Sequence, residues 1–238
     1  MECSNIKKIL LIIPAFNEAP SIVSVVSNLT RNYSQYDYII VNDCSTDATE
    51  SICIENAYNY ISLPVNLGIG GAVQCGYRYA YDKGYDIAIQ FDGDGQHSAE
   101  YIHNIVEPLI ANTADMVIGS RFINKEGFQS SHIRRLGIAV IRYVIKLCSG
   151  AIVSDPTSGF RATNRSLIEM FAIEYAQDYP EPEAIVSATL RGYKVAEVPV
   201  QMNERNAGMS SINKLRAIYY MLKVPLALII YRMGAIKK

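Results

Sequence analysis

Short apolar runs alternate with amphipathic segments through the first half of the chain, and no other feature limits its possible folds so tightly. The runs Ile9–Ile13, Tyr38–Asn42, Tyr60–Pro64 and Ile87–Phe91 read as strands, because short, nearly continuous apolar runs suit strands buried on both faces. Helical spacing between them predicts helices over Ser21–Leu29, Ala48–Asn56 and Gly70–Lys83, with Ser21 and Asp47 as N-caps. A helix over Ala99–Ile110 and a strand over Met116–Ser120 continue the pattern. Such alternation with short connections implies right-handed crossovers and an α/β, doubly wound, mostly parallel sheet flanked by helices.

Ligands of such sheets bind beyond the carboxyl ends of the strands. Polar residues gather there: Asn17 and Glu18, Asp43, Asn66, then Asp92 and Asp94. Folding needs alone do not furnish four strand ends in this way. The stretch Gln90-Phe91-Asp92-Gly93-Asp94-Gly95-Gln96-His97 carries the most chemistry. Aspartates at i and i+2 share one face of a strand, so both carboxylates can converge on a hard cation. Mg²⁺ and Mn²⁺ take oxygen ligands and are often held by one or two carboxylates plus substrate phosphates. Gly93 and Gly95 leave room for a ligand against the backbone. The competing reading is an acidic hairpin turn, since Asp-Gly is a common turn pair.

No Gly-x-Gly-x-x-Gly follows the first strand and no lysine-bearing phosphate loop exists, which argues against dehydrogenases, P-loop enzymes and nucleotidyltransferases. Gly68-Ile69-Gly70-Gly71 is either a phosphate-approaching turn or a plain helix start. With 22 basic against 23 acidic residues, the chain lacks the basic excess of a nucleic-acid binder. Five scattered cysteines, none in a Cys-x-x-Cys pair, read as reduced cytosolic thiols. Ile9–Ile13 is too short for a signal-peptide core.

Ala217–Tyr231 is apolar, but Lys223 and Pro225 interrupt it and it falls short of the roughly 20 residues that span a bilayer. Arg134–Lys146 mixes Arg134, Arg135, Arg142 and Lys146 with aliphatic residues. Both stretches suit interfacial helices on an anionic membrane, or core helices with solvated basic faces.

Together these segments resemble family 2 glycosyltransferases, inverting nucleotide-sugar enzymes of GT-A fold. Ile13-Pro14-Ala15-Phe16-Asn17-Glu18 is similar to their opening motif, Val41–Asp47 to the nucleoside-contacting segment, and Asn66–Ala72 to the next loop. Asp92-Gly93-Asp94 is similar to their Asp-x-Asp metal site. Ile118–Phe122, Thr157–Arg161, Glu197–Val200 and Arg205-x-x-Gly208-x-Ser210-Ser211 match later motifs in order. Within the family, the chain looks most like the dolichol-phosphate mannose synthase-like branch acting on polyprenyl phosphates and cell-envelope polysaccharides. The likeness spans residues 6–215. It implies a catalytic domain over 1–215 and a membrane-interfacial C-terminal helix over 216–238.

The resemblance implies a nucleotide-sugar site built from Pro14, Ala15, Asn17, Glu18, Asp43, Asn66, Gly68, Gln90, Asp92, Gly93 and Asp94. It implies a Mg²⁺ or Mn²⁺ held first by Asp94, with Asp92 beside it binding the metal or the ribose, and with Gln96 and His97 as further candidates for the shell; His97 reads equally as a solvated turn residue. Arg121, Arg161 and Arg205 are expected to gather the leaving diphosphate and any acceptor phosphate. Relatives that glycosylate a polyprenyl phosphate often carry Gln-x-Glu ahead of a late helix. Here that place reads Asp178-Tyr179-Pro180-Glu181-Pro182-Glu183, three candidate catalytic carboxylates on a loop that the prolines stiffen, before a helix from Ala184.

The expected activity is metal-dependent hexosyl transfer from a UDP- or GDP-sugar to a polyprenyl phosphate or lipid-linked glycan. The expected place is the inner face of the cell membrane, peripherally and with or without an integral membrane partner. Alternatives are transfer to a sugar hydroxyl, which needs a general base, and a non-catalytic nucleotide-sugar-binding subunit.

Overall fold

The computed structural model describes residues 7–124, 132–203 and 214–235. Strands β1 (Ile9–Ala15), β2 (Asp37–Asn42), β3 (Tyr60–Ser62) and β4 (Ile87–Gln90) are linked by helices α1 (Ile22–Asn32), α2 (Thr49–Glu55) and α3 (Gly68–Asp82). A 3₁₀ turn (Ala99–Tyr101) and helix α4 (Ile102–Ile110) lead to β5 (Met116–Ser120) and helix α5 (His132–Ser149). Strand β6 (Arg161–Asn164), helices α6 (Arg165–Ile173) and α7 (Pro180–Leu190), strand β7 (Val195–Pro199) and helix α8 (Lys214–Ala235) follow.

The seven strands form one sheet in the order β3-β2-β1-β4-β6-β5-β7. β6 runs antiparallel to β4 and β5, and the other neighbouring pairs are parallel. Alternation along β1 divides the core. Leu10 and Ile12 join a layer with Tyr77 of α3, Phe171 of α6 and Ile145 of α5. Leu11 and Ile13 join the opposite layer with Val26 of α1 and Ile105 of α4. This is why these strands read as unbroken apolar runs: both faces are covered. The chain moves from β1 outward to β2 and β3, then returns to β4 on the other side of β1. That reversal opens a crevice at the carboxyl ends of β1 and β4.

Two local expectations need correction. α7 begins at Pro180, four residues before the expected start at Ala184. Proline at the first helical position removes an N–H that has no partner inside the helix anyway, so both prolines fit the first turn. Ser21 precedes α1 but makes no capping bond; its hydroxyl donates to Glu18 O at 3.2 Å and Glu18 Oε2 at 2.9 Å. Asp47 does meet its helix, since Oδ1 accepts from Thr49 N at 2.9 Å. At the C-terminal end α8 continues through Pro225, and among the described residues no helix is long and apolar enough to cross a membrane.

Candidate active site

A cavity of about 660 Å³ occupies the crevice beyond β1, β2 and β4, within the range usual for small-molecule sites. Its lining includes all eleven residues expected to bind the donor, from Pro14 and Ala15 through Asp94. Phe16, Pro20, Ile69, Ala72, Thr157, Gly159 and Glu181 complete it.

Two backbone conformations shape the rim. Asn17 (φ 57°) and Cys44 (φ 58°) sit in the left-handed region, at the ends of β1 and β2. Asparagine tolerates that region better than most residues, and such outliers concentrate at functional sites. Asn17 Oδ1 accepts Thr46 N at 2.8 Å and Asp47 N at 3.3 Å, tying the two strand ends together. The buried Asp43 is aimed by a bond from Leu67 N to Oδ1 at 2.7 Å. α3 opens at Gly68 (φ +75°) with Gly68, Ile69 and Ala72 on the cavity wall, so its N-terminal dipole faces the space where an anion would sit. Gly70 has another task. A Cβ there would collide with the backbone of Ala176 and Gln177, in the segment entering α7.

The floor is acidic. Asp92 and Asp94 follow β4, with Asp94 buried and the Asp92 side chain 32 % exposed. Asp94 Oδ1 accepts Gln96 N at 2.9 Å, and Gln90 Nε2 lies 3.4 Å from Asp92 Oδ1. Gly159 packs directly over this pair: a Cβ there would sit 3.0 Å from both Asp92 Oδ2 and Gln90 Nε2. Among the described residues, no group of three or more His, Cys, Asp or Glu side chains gathers as a metal cage. Two carboxylates beside a ligand-sized space fit a hard cation that takes its remaining ligands from phosphates and water. Gln96 is not on the cavity wall, and its backbone is engaged with Asp94 and Asn203. His97 is buried, with Nδ1 accepting Asp92 N at 2.9 Å, so it is neither a solvated turn residue nor placed to complete a metal shell. Burial pushes its pKa down to about 4, against the opposing charge of Asp94.

The arginines differ from expectation. Arg121 is buried and closes a two-point pair with buried Asp155, Nε to Oδ2 at 2.6 Å and Nη2 to Oδ1 at 2.7 Å. Arg161 lies within β6, fully buried, donating to Ser158 O from Nε and Nη2 at 3.1 and 2.6 Å and to Glu181 O at 2.9 Å. Neither lines the cavity. Both brace the 154–160 segment, and Arg161 joins it to the first turn of α7. Arg205 lies outside the described residues.

The three acids of the late segment diverge, because positions i and i+2 of a helix point to different sides. Glu181 lines the main cavity, and burial raises its pKa, with the Arg161 charge opposing. Glu183 faces a second cavity of about 220 Å³ beside Tyr175 and Tyr231. Asp178 is exposed and paired with Lys223 at 3.1 Å. Only Glu181 of the three reaches the main cavity.

Sequence reading assigned no role to Asp155 or Glu197. Glu197 accepts Ser154 N at 2.6 Å and Asp155 N at 2.8 Å, so it shapes the loop that presents Gly159. An isolated acid on a strand carries no signal for such a task until its partner is known.

The mixed sheet with an acid-floored cavity at its reversal point has the GT-A fold. The solved structure of glucosyl-3-phosphoglycerate synthase from Mycobacterium tuberculosis, in complex with Mn²⁺, uridine-diphosphate and phosphoglyceric acid, shares that fold. It superposes with TM-score 0.71 at 22% identity, covering 96% of this chain and 79% of that one. The chain belongs to glycosyl transferase family 2, whose profile matches residues 10–171; it is a glycosyltransferase. It is similar to the UDP-N-acetylglucosamine–dolichyl-phosphate N-acetylglucosaminyltransferase of Methanococcus voltae, 33% identical over 82% of this chain and 85% of that protein. It is also similar to the undecaprenyl-phosphate mannosyltransferase of Micrococcus luteus, 29% identical over 87% and 88%. A polyprenol monophosphomannose synthase of Mycolicibacterium smegmatis is 25% identical over 92% and 86%.

Proposed function

We propose that the protein transfers a hexose, with inversion, from a UDP- or GDP-sugar to a polyprenyl phosphate at a membrane surface. The observation that carries this is the Asp92–Asp94 pair on the floor of a cavity walled by the β1 and β2 ends and the start of α3. Asp94 and Asp92 would hold Mg²⁺ or Mn²⁺, which neutralises charge growing on the leaving diphosphate. Asp43 and Glu18 would meet the nucleoside, and the α3 N-terminus would face the phosphates. An acceptor phosphate oxygen attacks the anomeric carbon as the bond to the nucleoside diphosphate breaks. That oxygen is already anionic, so the chain's task is positioning and needs no base. Two of the relatives above carry a lipid phosphate in their names as the acceptor, and the third names a polyprenol monophosphate product, which supports this choice.

Glu181 favours a second reading. It is a carboxylate on the cavity wall with a raised pKa, as a general base for a sugar hydroxyl requires. Incubating labelled nucleotide sugars with protein, Mn²⁺ and membranes, then extracting lipid, separates the two. Label in an acid-labile lipid monophosphate supports the first reading; label in longer glycans supports the second.

The membrane contact would fall on α5 and α8, which pack together. Leu136, Val140, Tyr143 and Leu147 form an exposed apolar stripe along α5, beside exposed Arg135, Arg142 and Lys146. Leu226, Ile230 and Met233 extend exposed apolar surface on α8. Apolar and basic residues on one surface suit an anionic lipid interface.

A further inference from the structure

We infer that His97 is a positioning residue: by accepting the Asp92 N–H at Nδ1, it fixes the turn that aims the Asp92 and Asp94 carboxylates into the cavity. The inference rests on the metal-binding reading of those two aspartates.

The imidazole is held on every side. Its side chain is 2 % exposed. It stacks on Phe160, centroids 4.9 Å apart at 27°, and meets Phe91 edge-on at 5.6 Å. Nδ1 takes the Asp92 N–H at 2.9 Å, which places the ring proton on Nε2, and Nε2 lies 3.4 Å from Asp92 Oδ2. The backbone beside it is pinned as well: His97 bridges Met202, and Gln96 O accepts Asn203 N at 2.9 Å.

Packing alone does not call for histidine here. A phenylalanine would fill the slot between Phe91 and Phe160 without the cost of burying a polar ring. What the imidazole adds is an acceptor for a backbone N–H inside the acidic turn, and backbone donors at folded turns are satisfied as a rule. The bond closes the loop from residue 92 to residue 97, across Gly95 in its left-handed conformation (φ +78°). Asp94 is tied within the same loop by Gln96 N. Both carboxylate directions therefore depend on a turn that His97 holds shut. Residues that orient metal ligands from behind commonly contribute one to two orders of magnitude to metal affinity.

Three substitutions separate the parts of the side chain. His97→Asn keeps an acceptor near the Nδ1 position, His97→Gln keeps a donor near Nε2, and His97→Phe keeps only the ring. Mn²⁺ affinity of the full chain is titrated with UDP or GDP present, and thermal unfolding is followed separately in chelator. His97→Phe should bind Mn²⁺ about 10- to 100-fold more weakly. His97→Asn should recover most of that loss and His97→Gln should not, while unfolding midpoints should not follow that order. If His97→Phe fails to fold, the Asn–Gln comparison decides alone. Native-like Mn²⁺ binding by His97→Phe overturns the inference, as do equal losses in Asn and Gln or losses that track the unfolding midpoints. Asp94→Asn is the control: if it binds Mn²⁺ as the native chain does, the metal reading itself falls, a result distinct from a failure at His97.

Discussion

Arg121 and Asp155 form a closed two-point ion pair, both side chains buried, at the junction of β5 and the segment that presents Gly159 to Asp92. A guanidinium so engaged is a structural brace. Removing one partner of a buried pair leaves the other charge uncompensated, at a cost of about 3–5 kcal/mol. Asp155→Ala should therefore lower the urea midpoint strongly, and Arg121→Lys should lower it too, because lysine loses the two-point geometry. Native-like stability of Arg121→Lys with lost turnover would instead return Arg121 to the substrate.

Gly70 is a contact glycine. Its missing Cβ admits the backbone of Ala176 and Gln177 against α3. Gly70→Ala should destabilise by about 1–3 kcal/mol through overpacking, read as a lowered unfolding midpoint. At Gly68 a Cβ meets nothing within 4 Å, so substitution there should act through its positive φ alone.

Glu183 supplies a pH dependence. Burial, with the Asp178 charge adding to it, raises its pKa above the usual carboxylate range. A carboxyl raised by folding favours the native state while protonated. That contribution is complete below the unfolded pKa and is lost as pH rises through the folded one. Glu183→Gln should match the native chain near about pH 4 and equal or exceed its stability near about pH 7. A variant that loses stability at neutral pH would contradict this.

Membrane contact makes a surface prediction. Leu136→Gln with Leu147→Gln should abolish sedimentation with anionic vesicles without moving the unfolding midpoint, since both side chains are more than 60 % exposed. Reversing Arg142 and Lys146 to glutamate should weaken binding and its salt dependence together, at about 1 kcal/mol per charge near the surface. Undiminished binding in both variants would move the contact elsewhere.

Much of the site was legible because strand ends announce themselves. Asn17, Asp43, Asn66 and Asp92 each follow an apolar run, and a doubly wound sheet brings such ends together whatever the details of packing. The late segment was not legible in the same way. Pro180 and Pro182 weigh against helix by propensity, yet a first helical turn accepts both, and the resulting helix sends Glu181 and Glu183 apart. Arg121 and Arg161 looked like anion ligands because a sequence shows a charge but not its partners; Asp155 and two carbonyl oxygens claim them in the folded chain. His97 gave least warning, since neither its bond from the Asp92 N–H nor its burial against Phe160, distant in the chain, shows before the chain is folded.

In the proposed function, Asp92 and Asp94 hold a divalent cation that binds the donor's diphosphate. Calorimetric titration of UDP and GDP into the full chain, with Mn²⁺ and with chelator, tests it most directly. One of the two nucleotides should bind at least about tenfold more tightly with Mn²⁺, and Asp94→Asn should erase the difference. Equal affinity with Mn²⁺ and with chelator, for both nucleotides, would contradict the account.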